Sequence, residues 1–350
     1  MFEVDPDICK AKTLSSEFYT DESFFYLSKE KIFARSWHFA GTADEVSNLK
    51  PFNILETPLL LAKEAQNINC FSNVCTHRGA ILIEKDCQAN GIRCRYHGRK
   101  FDLQGKFLSM PEFETVENFP SEKDDLPKIE LEKWGKFWFA SLNPKSPFEK
   151  VFGELKKRLD WLGLQQFKFA PEFSKGYQVK AHWALYCENY LEGFHIPFVH
   201  PALNNVLDYG DYTTELFRYS NLQLGIAKAG ELTFDLPENT SDFGKNVAAF
   251  YFFVFPNLMF NFYPWGLSLN VVEPLTFETT RVKFLTYISD ESKFGNADEV
   301  LHQTELEDEA IVESVQEGIR SRFYDSGRYS PTREQGTHHF HRLICEFMNL

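Results

Sequence analysis

Cys75-Thr76-His77-Arg78-Gly79 and Cys94-Arg95-Tyr96-His97-Gly98 are the two stretches that decide how this chain is read. Each offers one thiolate and one imidazole, and sixteen residues separate His77 from Cys94. A zinc finger usually draws two cysteines from one knuckle and two histidines from a helix. Here the two types are mixed within each stretch. That suits a [2Fe–2S] centre in which two cysteines hold one iron and two histidines the other. On that reading Cys75 and Cys94 take the first iron, and His77 and His97 the second. Gly79, Gly91, Gly98 and Gly105 let backbone approach closely, so that loop N–H groups can donate to cluster sulfurs. A zinc site is the competing reading of the same four ligands.

Working outward, a second constellation follows about a hundred residues later. Residues Cys187 to His195 read as a helix that Pro197 should close near His195. Glu188, Glu192 and His195 have i, i+4, i+7 spacing and would share one helical face. The chain then turns and presents His200. Two histidines and a carboxylate with open positions make the facial triad of a non-haem Fe(II) oxygenase. Alone, a helix-end histidine reads as a cap or a satisfied core group. The upstream cysteine–histidine stretches change its meaning.

Together, C-x-H-R-G, C-x2-H-G and E-x2-H-x4-H resemble the catalytic α subunit of Rieske non-haem iron oxygenases, the aromatic-ring-hydroxylating oxygenase family. The likeness begins at Phe33-Ala34-Arg35-Ser36-Trp37 and runs to Gly327-Arg328-Tyr329-Ser330-Pro331. It implies an α+β chain: a small all-β Rieske [2Fe–2S] domain, then a helix-grip antiparallel β-sheet catalytic domain with a mononuclear iron. Residues 1–40 would be an N-terminal helical arm packing on the catalytic domain, 41–150 the Rieske domain and 151–350 the catalytic domain. The resemblance implies a cluster on Cys75, His77, Cys94 and His97, and one Fe(II) on His195, His200 and a carboxylate from a late helix. Residue physics leaves Glu305, Glu307, Asp308 and Glu309 open for that carboxylate; the family match singles out Asp308. The other three would face water on an amphipathic helix whose Leu306, Ile311 and Val315 face the core. Glu192 matches a carboxylate that bridges the iron-bound His195 to the cluster histidine His97 of a neighbouring subunit. It is expected to be catalytic, as is Asn189 nearby. Most ring dioxygenases have Asp at the position of Glu192. Glu there resembles the subgroup that oxidises choline, carnitine and glycine betaine.

The implied function is an oxygenase component using O₂ and electrons from an NAD(P)H-dependent reductase or ferredoxin. It would hydroxylate or oxidatively demethylate a small organic substrate, foremost a quaternary ammonium compound. The alternative is an aromatic-ring-hydroxylating dioxygenase α subunit acting on an aromatic acid. An electron carrier would need no second domain with Glu192, His195, His200 and Asp308, and a zinc-stabilised binding module would be colourless. The bridge between subunits implies a homotrimer.

Composition bounds the partners. A formal charge of −13 over 350 residues disfavours a nucleic-acid footprint. Between Cys75 and Lys106 the balance reverses: Arg78, Lys85, Arg93, Arg95, Arg99, Lys100 and Lys106 stand against Glu84, Asp86 and Asp102. This basic collar is expected to steer an acidic redox partner or else to be solvated loop charge. The seven cysteines show no disulfide framework, the N-terminus reads as no signal peptide, and the longest apolar run, Ala248 to Phe255, cannot span a bilayer. The expectation is a cytoplasmic enzyme away from membranes.

A helix is predicted over about 21–35, short strands over 41–150, a linker at 143–147 and a helix over 151–162. Long strands are predicted at 177–183, 249–255, 259–263, 267–273 and 281–289, then a helix over about 297–324. Among 36 phenylalanines most are strand core. Some of Phe194, Phe198, Tyr186, Phe260, Phe262, Tyr263 and Trp265 should line a substrate pocket, as a cation cage or a clamp for a flat ring. His38, His182, His338, His339 and His341 read as structural or exposed.

Overall fold

The computed structural model describes residues 2–350. Its chain forms two compact units, one of Ala34–Lys145 and one of Ser146–Leu350 together with the residues up to Phe33.

The smaller unit is all-β, with an antiparallel sheet of six strands in the order His38–Thr42, Phe137–Ser141, Lys128–Trp134, Asn67–Ser72, Thr57–Glu64, Leu49–Ile54. Alternation along Thr57–Glu64 sends Leu60 and Ala62 to one apolar cluster and Leu59 and Leu61 to another. A three-stranded sheet of Ile92–Arg93, Lys100–Phe101 and Phe107–Ser109 caps the first cluster.

The larger unit is built on an eight-stranded antiparallel sheet. Its path runs Lys168–Phe169, Thr279–Ile288, Gly266–Thr276, Leu258–Tyr263, Val247–Val254, Ser220–Ile226, Thr213–Leu216, with Lys175–Val179 also paired to Thr279–Ile288. Register pairs Tyr251 with Asn261 and Asn261 with Ser268 across three central strands. Because side chains alternate between faces, Asn261 and Tyr263 point one way and Phe260 and Phe262 the other. The phenylalanines pack beside Phe152 of the helix Phe148–Leu159 and beside Phe167. The opposite face meets the helices Trp183–Tyr190 and Ala297–Gly318, and Tyr190 Oη donates to Asn261 Oδ1 at 2.8 Å. The closing helix Gln335–Met348 sets Phe340 against Trp183, Phe253 and Phe255. The first residues belong to this unit by contact: Tyr19 Oη donates to Glu188, and Arg328 donates to the carbonyls of Ala11 and Cys9.

The α+β class and the strand-then-helix order match the sequence reading, and several local expectations do not. The early helix covers only Glu22–Lys31 and gives way to a 3₁₀ turn at Phe33–Arg35. The helix expected to reach His195 ends at Tyr190, where the Leu191 N–H closes onto the Cys187 and Glu188 carbonyls. Gly193 follows because the Tyr212 ring stands 2.7 Å from where a Cβ would be. Pro197 lies within the next short helix, Ile196–Val199, where its missing N–H costs nothing. Glu188 therefore does not share a face with Glu192 and His195; it faces Tyr19 and His341 instead.

Candidate active site

In the smaller unit the two cysteine–histidine stretches fold into matching turns. Cys75 N–H donates to Ala80 O at 2.8 Å and Gly79 N–H returns to Cys75 O at 3.0 Å; Cys94 with Arg99 and Gly98 repeats the pattern at 2.8 and 3.1 Å. Gly79 and Gly98 sit at φ of 75° and 77°, in the left-handed region that a side chain disfavours. Both cysteines are buried, and the imidazoles of His77 and His97 lie 4.8 Å apart in edge-to-face array. Burial foremost, with the nearby Cys94 sulfur, pushes the Cys75 thiol up. His97 Nδ1 is buried without a hydrogen-bond partner among the described residues. Two buried sulfurs and an inward nitrogen without a partner fit a bound metal cluster better than a closed protein core.

The basic collar is smaller than the charge count suggests. Arg99 is 2% exposed, its guanidinium held by Asp124 at 2.7 Å and stacked near Phe107 and Phe119. Arg95 pairs with Glu84, and Lys106 with Asp125 at 2.7 Å. Asp124 and Asp125 lie outside the counted window, which is why local arithmetic overstated the free charge.

In the larger unit His195, His200 and Asp308 converge, with their donor atoms all within 4.8 Å of one another. The two Nε2 atoms are 3.2 Å apart, and Asp308 Oδ1 lies 3.0 Å from that of His200 and 3.6 Å from that of His195. Such separations fit a point roughly 2 Å from each, the length of a metal–imidazole bond. The outer nitrogens support the same orientation. His195 Nδ1 faces Glu192 Oε1 at 2.7 Å, and His200 Nδ1 faces Glu307 Oε2 at 2.7 Å. A carboxylate on Nδ1 fixes the proton there and leaves the Nε2 lone pair for a metal. Burial lowers the basicity of His200, but hydrogen bonds and charge from Asp308 and Glu307 outweigh it and raise its pKa. Asn189 donates its amide N–H to Asp308 Oδ1. Glu192 also accepts from the Phe194 and His195 N–H groups, which ties its carboxylate to its own turn. Three donors backed in this way fit a mononuclear iron with positions left open.

The helix Ala297–Gly318 turns opposite to the expected face. Glu305, Val312 and Gln316 are its buried residues, while Leu306, Ile311 and Val315 are exposed. The site demands carboxylates on the inward side, and those override the apolar stripe. Glu305 lines the cavity and accepts from Tyr186 Oη at 2.6 Å. Burial first, then the charges of Asp308 and Glu309, hold its carboxyl well above the usual range, against the pull of the Tyr186 hydrogen bond.

A cavity of about 330 Å³ opens from the three donors. Tyr186, Tyr263 and Trp265 line it as expected, with Tyr263 and Trp265 stacked at 5.1 Å. Phe260 and Phe262 do not, since they occupy the other sheet face, and Phe194 and Phe198 are exposed. Tyr190, Tyr212 and Tyr251 were missed as wall residues. Period-two alternation from Asn261 and its partner Tyr251 would have found the last of them.

The model of the ring hydroxylating alpha subunit (catalytic domain) matches residues 168–349, and that of the Rieske [2Fe-2S] domain matches residues 36–120. The chain is 29% identical to choline monooxygenase, chloroplastic, of Arabidopsis thaliana, covering 99% of this chain and 86% of that protein. It is also 29% identical to the carnitine monooxygenase oxygenase subunit of Escherichia coli (strain K12), over 96% of this chain and 94% of that one. A solved quaternary ammonium Rieske monooxygenase, described with carnitine oxidation and inter-subunit electron transfer, superposes with a TM-score of 0.83 at 25% identity, covering 99% of this chain and 100% of that one. Naphthalene 1,2-dioxygenase from Rhodococcus sp. shares the fold with a TM-score of 0.79 at 18% identity, over 96% and 94% of the two chains.

Proposed function

The chain belongs to the ring hydroxylating alpha subunit family, and from that premise we propose that it is the oxygenase component of a monooxygenase for a quaternary ammonium compound. The observation that carries this is the His195–His200–Asp308 triangle opening into a cavity walled by tyrosine and tryptophan rings. Aromatic faces attract a cation without needing an N–H donor from it, which a quaternary nitrogen lacks. Choline and carnitine monooxygenases among the relatives support the same substrate class.

When bound, the cluster and the mononuclear iron would supply single electrons and the activation of O₂. The chain's own residues do the rest. Cys75, His77, Cys94 and His97 hold the cluster, and His195, His200 and Asp308 hold the iron. Glu192 and Glu307 keep protons on the two Nδ1 atoms, so that both Nε2 lone pairs stay turned to one point. Asn189 holds the Asp308 carboxylate in place. Tyr190 is fixed between Asn261 and Gln223, with its hydroxyl on one and its carbonyl on the other, which keeps that wall rigid.

The working form we assign is a homotrimer supplied by an NAD(P)H-dependent reductase or ferredoxin. In it Glu192 meets His97 of a neighbouring protomer. None of the seven cysteines is in a disulfide, which suits a reducing cytoplasm, and no helix among the described residues is long and apolar enough to cross a membrane. Stopped-flow spectroscopy tests the substrate class. Reduced protein mixed with O₂ should reoxidise its cluster quickly only with a trimethylammonium compound present. Acceleration by aromatic acids instead would refute the assignment.

A further inference from the structure

We propose that Glu305 is the counter-ion that selects a cationic headgroup in this cavity, a role that rests on the quaternary ammonium reading above. Glu305 is 2% exposed and lines the cavity. Tyr186 Oη donates to its Oε2 at 2.6 Å, whereas its Oε1 is buried without a partner among the described residues. A carboxylate serving structure alone would have both oxygens satisfied, because an unmatched buried acceptor is destabilising. Among the described residues no basic side chain pairs with Oε1. Lys293, which also lines the cavity, sits 3.4 Å from Asp290 and stays partly exposed.

Without a ligand, burial biases this carboxyl toward its neutral form; a positive charge brought by the ligand would supply the missing partner and return it to the carboxylate. A quaternary ammonium offers charge without a directional donor, so it needs a nearby anion and π faces, and this cavity provides both. Tyr186 supplies a ring beside Glu305 while its hydroxyl fixes the carboxylate. Glu305 stands three residues before Asp308 on one helix, so the two carboxylates share a face. A cation held at Glu305 would thereby lie in the same cavity as the metal donors. An aromatic acid, by contrast, would bring its own negative charge toward Glu305.

The test is anaerobic calorimetry on iron-loaded protein with choline and with 3,3-dimethylbutan-1-ol, its neutral isostere. Wild type should bind choline at least about tenfold more tightly than the isostere. Glu305→Gln keeps an acceptor for Tyr186 and removes the charge. It should weaken choline by roughly 10- to 100-fold and leave the isostere within about twofold. Glu305→Asp, as a second variant, should fall between the two for choline only. If Glu305→Gln keeps its choline preference, or weakens both ligands equally, the counter-ion role is overturned while the substrate class stands. If wild type shows no preference for choline, both fall together.

Discussion

Removing the Glu307 carboxylate should loosen the mononuclear iron while leaving the cluster untouched. Glu307 Oε2 accepts from His200 Nδ1 at 2.7 Å, and Gln303 Nε2 holds its other oxygen at 2.9 Å. The histidine is only 2% exposed, so no water replaces the lost acceptor easily. Loss of such a carboxylate behind a ligand histidine typically costs about 10- to 100-fold in metal affinity, or roughly 1.4–2.7 kcal/mol. The Glu307 side chain is 26% exposed, so its charge is partly screened and the lower half of that range applies, about 10- to 30-fold. Glu307→Gln retains an acceptor oxygen and should lose less than Glu307→Ala. The assay is anaerobic competition of apo-protein with an Fe(II) chelator, with the cluster absorption as internal control. An alanine variant that holds iron as tightly as wild type would refute the claim that this hydrogen bond orients the ligand.

Four further outcomes follow from the same geometry. Asp308→Ala should abolish mononuclear iron and turnover with an unchanged cluster spectrum; iron analysis beside electron paramagnetic resonance decides it. Glu192→Gln should keep both metals yet slow cluster-to-iron electron transfer in single-turnover kinetics, and a normal rate would remove the proposed bridge. At Gly336 a Cβ would lie 2.2 Å from the Leu191 carbonyl, so Gly336→Ala should push two helices apart and cost on the order of 1–3 kcal/mol, read by denaturant unfolding. Burial pushes His182 down to about 3, so it stays neutral when folded and protonates when unfolded below about pH 6.5. Stability is thus lost as pH falls from about 6.5 toward 3, and wild type should lose about 1.4 kcal/mol more than His182→Asn between roughly pH 7.5 and 5.5. Parallel pH profiles would contradict it.

What the sequence disclosed and what it hid follow from range. The cluster turns are local: ligands and glycines lie within five residues, so their chemistry could be read directly. His195 and His200 were legible for the same reason. Asp308 lies over a hundred residues away among three other carboxylates, and only the family resemblance separated it from them. The inverted face of Ala297–Gly318 shows why the hydrophobic pattern misled. Where a helix supplies a metal carboxylate and a cavity wall, its inward stripe is polar, and the apolar side chains Leu306, Ile311 and Val315 are left outside. The helix expected to reach His195 stops at Tyr190, and the Tyr212 ring from a later segment leaves room only for glycine at 193, a contact the local pattern could not show. Arg99 was misread because Asp124 and Phe119, distant in sequence, close over it.

The central claim is that this chain oxygenates a trimethylammonium compound at the His195–His200–Asp308 site. Its most direct test is a single turnover of chemically reduced protein under ¹⁸O₂, with pooled trimethylammonium compounds and pooled aromatic acids supplied separately. The account predicts ¹⁸O-labelled product, or its demethylation fragment, from the ammonium pool alone, and none from the Asp308→Ala variant. Labelled product from the aromatic pool alone, or undiminished product from that variant, would contradict it.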